Sequence, residues 1–145
     1  MKMSELIQQL SNIPQGLEHQ VAIETSDAGI TYADLAARVK TLSLWLQVQK
    51  FDSVALHADN SIDWIVVDLA CQMAQLIFTP IPLFFTQIQY DQLLLSVKPN
   101  ILFSQQEIKF GESCKCQQVA LSTYKLVQNT KLKAPNGTAK ITYTS

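Results

Sequence analysis

Glycine is scarce in this chain, with four in 145 residues, at positions 16, 29, 111 and 137. No G-x-G-x-x-G and no G-x-x-x-x-G-K-[ST] can be assembled from them, so a complete phosphate-cradling loop of either kind is excluded. Charge is scarce too. Asp, Glu, Lys and Arg make up 16% of the residues and the formal net charge is −1. That leaves no basic stripe for nucleic acid or for an anionic membrane. There are three cysteines, Cys71, Cys114 and Cys116, an odd count without disulfide-framework spacing. The C-x-C has no neighbouring histidines to complete a zinc site, and it reads as alternation along a strand edge. No run reaches the ~18 consecutive apolar residues of a membrane span. The apolar run 76–85 is short and interrupted by Pro80 and Pro82. The first residues carry Glu5 and several glutamines where a signal peptide needs an unbroken apolar stretch. A soluble cytoplasmic protein is therefore expected.

What is present is apolar residues, 48% of the total. A chain of this length fits one domain and can bury roughly two-thirds of its unfolded surface. Low charge beside that apolar content suggests that some apolar surface is covered by something outside the chain. The centre is the stretch 53–104. Short apolar runs at 54–58, 77–81 and 101–103 are separated by two segments with helical spacing, which is the signature of parallel strands joined by crossover helices. The expected fold is α/β, a mainly parallel sheet with packed helices.

The flanks follow the same reading. Leu6, Ile7 and Leu10 share one face of a short helix over 3–12, closed by Ile13-Pro14. Val21 and Ile23 alternate with polar neighbours, and 26–29 is turn chemistry, so a hairpin with a very short second arm is expected. Thr31 is a helix N-cap with Asp34 making a capping-box-like return, and Leu35, Val39, Leu42 and Leu46 form one helical stripe to about Gln49. Asn60 or Ser61 caps a helix over 62–75 that is apolar nearly all round and therefore buried on several sides. Thr86-x-x-Gln89 is a capping box opening a helix that Pro99 ends. A short helix plus loop over 105–113, a fourth strand over 115–121, an Asn136-Gly137 turn and a last strand over 140–143 complete the expectation.

Chemistry is thin. His19 and His57 could each serve as a base, but neither has a nucleophile at a telling spacing. Asp59 and Asp63 flank a helix start, where capping and dipole interactions explain them. Cys71 falls in an apolar helix pattern and reads as a small core residue. No complete active site emerges from the residues themselves.

The order of elements nevertheless resembles a family. Thr31-Tyr32-Ala33-Asp34-Leu35 looks like the start of the first helix in AMP-forming acyl-CoA synthetases and adenylation domains. Val54-Ala55-Leu56 followed by Asp59-Asn60-Ser61-x-x-Trp64 resembles their strand and following turn. Thr79-Pro80-Ile81-Pro82 before Phe84-Phe85-Thr86 resembles the crossing to the next helix. Lys98-Pro99-Asn100-Ile101-Leu102-Phe103 resembles the following strand, and Ala139-Lys140-Ile141-Thr142-Tyr143-Thr144-Ser145 the strand that enters the phosphate-binding loop. The five pieces stand in family order over about 17–145. Two departures are local: Phe51-Asp52 replaces a usual Gly-Asp, and Gln75 replaces a usual glycine at a helix end.

The resemblance implies that residues 1–145 are the N-terminal part of an adenylate-forming domain, with the rest of the domain and a C-terminal lid downstream. It implies a parent ligase, tied to fatty acid metabolism, that uses ATP and Mg2+ to make an acyl-adenylate. The acyl group then passes to coenzyme A or to the phosphopantetheine of an acyl carrier protein. Thr144 and Ser145 would be the first nucleotide-binding residues, and no residue of this chain would be catalytic. The chain alone would be inactive and would self-associate through uncovered apolar surface. An amino-acid or aryl-acid adenylation domain of a peptide synthetase is the alternative enzyme. A stand-alone, non-catalytic α/β interaction module is the alternative from another class.

Overall fold

The computed structural model describes residues 7–8, 10–26, 28–105 and 116–120. The expected segments at 105–113 and 140–143, the Asn136-Gly137 turn, Cys114 and the pair Thr144 and Ser145 lie wholly or largely outside them. So do the start of the 3–12 helix and both ends of the 115–121 strand.

Residues 7–8 and 10–11 are helical. Strands β1 (Val21–Glu24) and β2 (Gly29–Thr31) then pair antiparallel. Helix α1 (Tyr32–Val48) follows directly, with Thr31 Oγ1 accepting from the Asp34 backbone N–H at 3.2 Å. Strand β3 (Ser53–His57), helix α2 (Ile62–Met73), strand β4 (Ile77–Pro80), helix α3 (Gln87–Val97) and strand β5 (Ile101–Ser104) form the expected alternation, and β6 (Gln117–Ala120) lies within the expected fourth strand. Of the two candidate caps for α2, Ser61 is the N-cap, accepting from Trp64 N–H. Thr86 and Gln89 form the full reciprocal capping box at α3.

The four later strands make one parallel sheet in the order β4-β3-β5-β6. Every residue of β3 and β5 is buried, which is why both read as continuous apolar runs rather than alternating ones. Among the described residues β4 is an edge strand. That position tolerates Pro80, which sits opposite Leu56 and has no N–H to donate. The crossover from β3 to β4 runs one way along the sheet and that from β4 to β5 runs back over it. Connections of one hand therefore place α2 and α3 on opposite faces. The cores agree. Leu56, Phe103 and Val119 pack with α1 and α2 on one face, while Ala55 and Leu102 pack with Leu94 of α3 on the other.

Three long-range polar contacts tie the layers together. Arg38 on α1 reaches Asp63 in the first turn of α2 at 2.6 Å. Asn100 Oδ1 accepts from the N–H groups of both Asp52 and Ser53, at 2.7 and 2.9 Å, which aligns the starts of β3 and β5. At the other end of those strands Gln105 N–H donates to the His57 carbonyl and Gln105 Oε1 accepts from Asp59 N–H.

Candidate functional site

In an open parallel sheet, ligands settle beyond the carboxyl ends of the strands, where the direction of winding reverses. Here the chain leaves β3 toward β4 and later returns to β5 on the other side, so the reversal lies at the ends of β3 and β5. The residues carried there are His57 and, just beyond it, Asp59 and Asn60, with Ser104 and Gln105 opposite. Ile81, Pro82, Leu83 and Phe84 follow the end of β4.

An open cleft of ≈ 380 Å³ sits beside this point. Trp64, Pro80, Leu83 and Phe84 give it apolar walls, and Asp59 and Asn60 are its polar edge. Trp64 is half-buried on α2, where it packs against the main core and edge-on against Phe78 at 5.5 Å, and it also faces the cleft. Phe84 is 82% exposed.

These residues do not fit the phosphates of a nucleotide. No lysine or arginine lines the cleft, and Asp59 does. The described helix starts are closed by their own caps, Thr31, Ser61 and Thr86, and α1 and α2 each carry a carboxylate in the first turn. Such a carboxylate occupies the favourable field an anion would use. Among the described residues no group of three His, Cys, Asp or Glu side chains stands together as a metal site. No described helix is long and apolar enough to cross a membrane.

The candidate residues read from the sequence separate cleanly. His19 is exposed in the turn ahead of β1, whereas His57 is buried at the end of β3. Asp63 pairs with Arg38, and Asp59 lies at the cleft. Cys71 is fully buried, and burial together with the nearby Asp68 charge pushes its thiol up to about 12, which rules out thiolate chemistry near neutral pH. Cys116 is half-buried against the α3-side core. The nucleotide-binding pair Thr144 and Ser145 lies outside the described residues.

The feature that sequence reading missed is the partner of His57. Its Nε2 lies 2.7 Å from the hydroxyl of Tyr90 on α3, and the two rings meet edge to face at 5.2 Å. Tyr90 Oη also donates to the Leu83 carbonyl at 3.3 Å. Burial lowers the His57 pKa and raises that of Tyr90, so both groups are neutral near pH 7. The other ring nitrogen, Nδ1, is buried with no hydrogen-bond partner among the described residues. The two residues are 33 positions apart, and no local pattern announces the pair.

Comparison with known proteins fits this architecture. The model of the family described as AMP-binding enzyme matches residues 13–145. Among solved structures, the chain is similar to the N-terminal subdomain of NpsA from Klebsiella oxytoca in complex with 3-hydroxybenzoyl-AMSN. The TM-score is 0.66 at 20% identity, covering 83% of this chain and 30% of that one. The artificially fused adenylation–PCP di-domain NpsA-ThdA from the same organism gives a TM-score of 0.71 at 19% identity over 90% of this chain and 24% of that one. ATP-bound MatB from Rhodopseudomonas palustris gives 0.58 at 26% identity over 71% of this chain and 21% of that one. The chain thus spans between about a fifth and 30% of the length of these proteins. No protein with a curated description matches it. The family match over nearly the whole chain, and a parallel sheet wound as in these neighbours, lead to one conclusion: the chain belongs to the AMP-binding enzyme family.

Proposed function

We propose that residues 1–145 form the N-terminal part of an ATP-dependent, carboxylate-activating ligase. Its parent joins a carboxylic acid to AMP and then passes the acyl group to the thiol of a phosphopantetheine arm, carried by coenzyme A or by a carrier protein. The observation that carries this reading is the family match over 13–145. In it, Thr144 and Ser145 open the phosphate-binding loop, and ATP and Mg2+ are held by residues downstream of this chain. The described residues act as scaffold. This is consistent with a cleft that lacks any cation for phosphate. The reading places the parent in the cytoplasm and among the enzymes of fatty acid metabolism.

A second reading, an aryl-acid adenylation domain that loads a carrier protein, is favoured by the likeness to NpsA with its 3-hydroxybenzoyl-AMSN. The acid selects between the two. The isolated chain is expected to show no ATP–pyrophosphate exchange with fatty, aryl or amino acids. Co-expression with the downstream sequence of the same gene is expected to restore exchange with one of these classes. Exchange by the 145 residues alone would overturn the scaffold role. A gene lacking a Gly/Thr-rich loop in frame after Ser145 would overturn the ligase reading in favour of a binding module.

The scaffold reading also has a colloidal consequence. Phe84, Ile88 and Ile77 are 82%, 70% and 64% exposed, large apolar side chains available to a covering surface. The isolated chain is expected to self-associate, with the mass from light scattering rising with concentration. A constant monomer mass across the same range would count against uncovered surface.

A further inference from the structure

His57, Tyr90 and Leu83 connect three parts of the molecule in one hydrogen-bonded line. His57 ends the central strand, Tyr90 belongs to α3, and Leu83 sits in the turn that forms one wall of the cleft. The direction of each bond follows from the donors available. The Leu83 atom in contact is its carbonyl oxygen, so the Tyr90 hydroxyl donates to it. The hydroxyl oxygen then accepts from His57 Nε2–H, and Nδ1 carries the lone pair. An unpartnered lone pair is tolerable in a buried site. An unpartnered N–H⁺ is not, because a buried charge without an acceptor is costly.

The rest of the attachment of α3 is weak. Leu94 is its one buried residue, and the turn ahead of it is closed by a single 3.3 Å bond from Phe85 N–H to the Pro82 carbonyl. Few buried contacts mark a segment that opens locally before the whole fold does. We propose that the His57–Tyr90–Leu83 line is a pH-sensitive latch: with His57 neutral it holds the turn over residues 82–85 and the start of α3 against the end of β3, and protonation of His57 releases them and opens the cleft wall.

The groups around His57 support this. Tyr90 is the titratable group that α3 presents to it. On the same sheet face β5 and β6 contribute neutral Ser104 and Gln118, bonded to each other at 3.0 Å. Cys116 is a further titratable side chain packed on that face. The carboxylates nearest in sequence to the two rings are Asp59, two residues beyond His57, and Asp91, next to Tyr90, whose Oδ1 accepts from Gln87; neither is bonded to the imidazole. Among the described residues no anion is therefore hydrogen-bonded to His57 to hold a proton on it. With a folded-state pKa below the ordinary ~6.5, the latch is at full strength above that value and weakens as pH falls through it, levelling off below the lowered value.

The device depends on residues of this chain and is independent of what the cleft binds. Hydrogen exchange on the full chain tests it, with rates corrected for their intrinsic pH dependence. Between pH 7.5 and 5.5, protection of amides over residues 83–94 is expected to fall, by at most about tenfold, the limit that full exclusion of the proton from the closed form would give. Protection of α1 should stay constant. Tyr90→Phe is expected to lower protection at both pH values, and His57→Gln to abolish the pH step. Unchanged protection over 83–94 in the wild type, or a step that persists in His57→Gln, overturns the latch. Should the variants fail to fold, the wild-type His57 titration by NMR decides. A midpoint below ~6.5 supports the proposal and one at or above it refutes it.

Discussion

Phe103→Ala is expected to cost about 3–5 kcal/mol, the range for truncating a fully buried aromatic side chain. Phe103 is 1% exposed at the centre of β5, between Leu56 of β3 and Val119 of β6 in register, all facing α1 and α2. Strands on both sides and helices above hold the surrounding backbone, so the site cannot collapse to fill the lost volume. A domain's whole stability is only about 5–15 kcal/mol, and this single change removes a large part of it. In urea, with a slope of about 1–3 kcal/mol per molar for a small protein, the midpoint should move down by roughly 2 M. Leu44→Ala is the control: Leu44 is 61% exposed on α1 and should shift the midpoint by about 0.2 M or less. A shift below about 0.5 M for Phe103→Ala would mean that this face of the sheet is not the main core.

That core was legible because it is built from local signals repeated in order. The stripe Leu35–Val39–Leu42–Leu46 predicts the buried face of α1, and all four residues are buried. The hydroxyls at Thr31, Ser61 and Thr86 predict three helix starts, because an N-cap acts on backbone only two or three residues away. The continuous apolar runs at β3 and β5 predict central parallel strands, because a strand covered on both faces has no polar side to alternate with. What stayed hidden joins distant parts of the chain. Arg38 lies off the helical stripe with nothing nearby in sequence to receive it, and its partner Asp63 stands 25 residues on. His57 reads as an isolated histidine until α3 folds back and delivers Tyr90. The cleft is lined by two of the family-like stretches, 59–64 and 79–86, but neither announces a cavity, since its walls meet only when β3 and β4 pair and bring together the end of one strand, the turn after another and the first turn of α2. Thr144 and Ser145 carried most of the expected nucleotide chemistry and lie outside the described residues, so their part remains a proposal resting on family membership.

Replacing Lys50, Gln75 and Lys98 by glycine together is expected to stabilise the chain by about 2 kcal/mol. All three have left-handed backbones, with φ of 60°, 61° and 52°. Each follows a helix and lets the chain turn out of it. After α1, Lys50 N–H donates to Gln47 O and Phe51 N–H to Leu46 O, and Phe51 then packs edge-on against Trp45 at 5.9 Å. After α2 the same pair of bonds runs from Gln75 to Gln72 and from Leu76 to Cys71. After α3, Lys98 N–H donates to Leu94 O. Glycine favours this position because a Cβ crowds the following carbonyl, at about 1–2 kcal/mol for an L-residue. The greater freedom of glycine in the unfolded chain takes back about 0.5–1 kcal/mol of that at each site. The departure noted at Gln75 falls on one of these residues. The departure at Phe51 does not, because the positive φ belongs to Lys50, one residue earlier. The three sites end different helices, so their effects should add. For a chain of this size the combined gain corresponds to a rise in Tm of roughly 6 °C, read by calorimetry. A Tm that stays level or falls would mean that the lysine and glutamine side chains supply contacts worth more than the strain they carry.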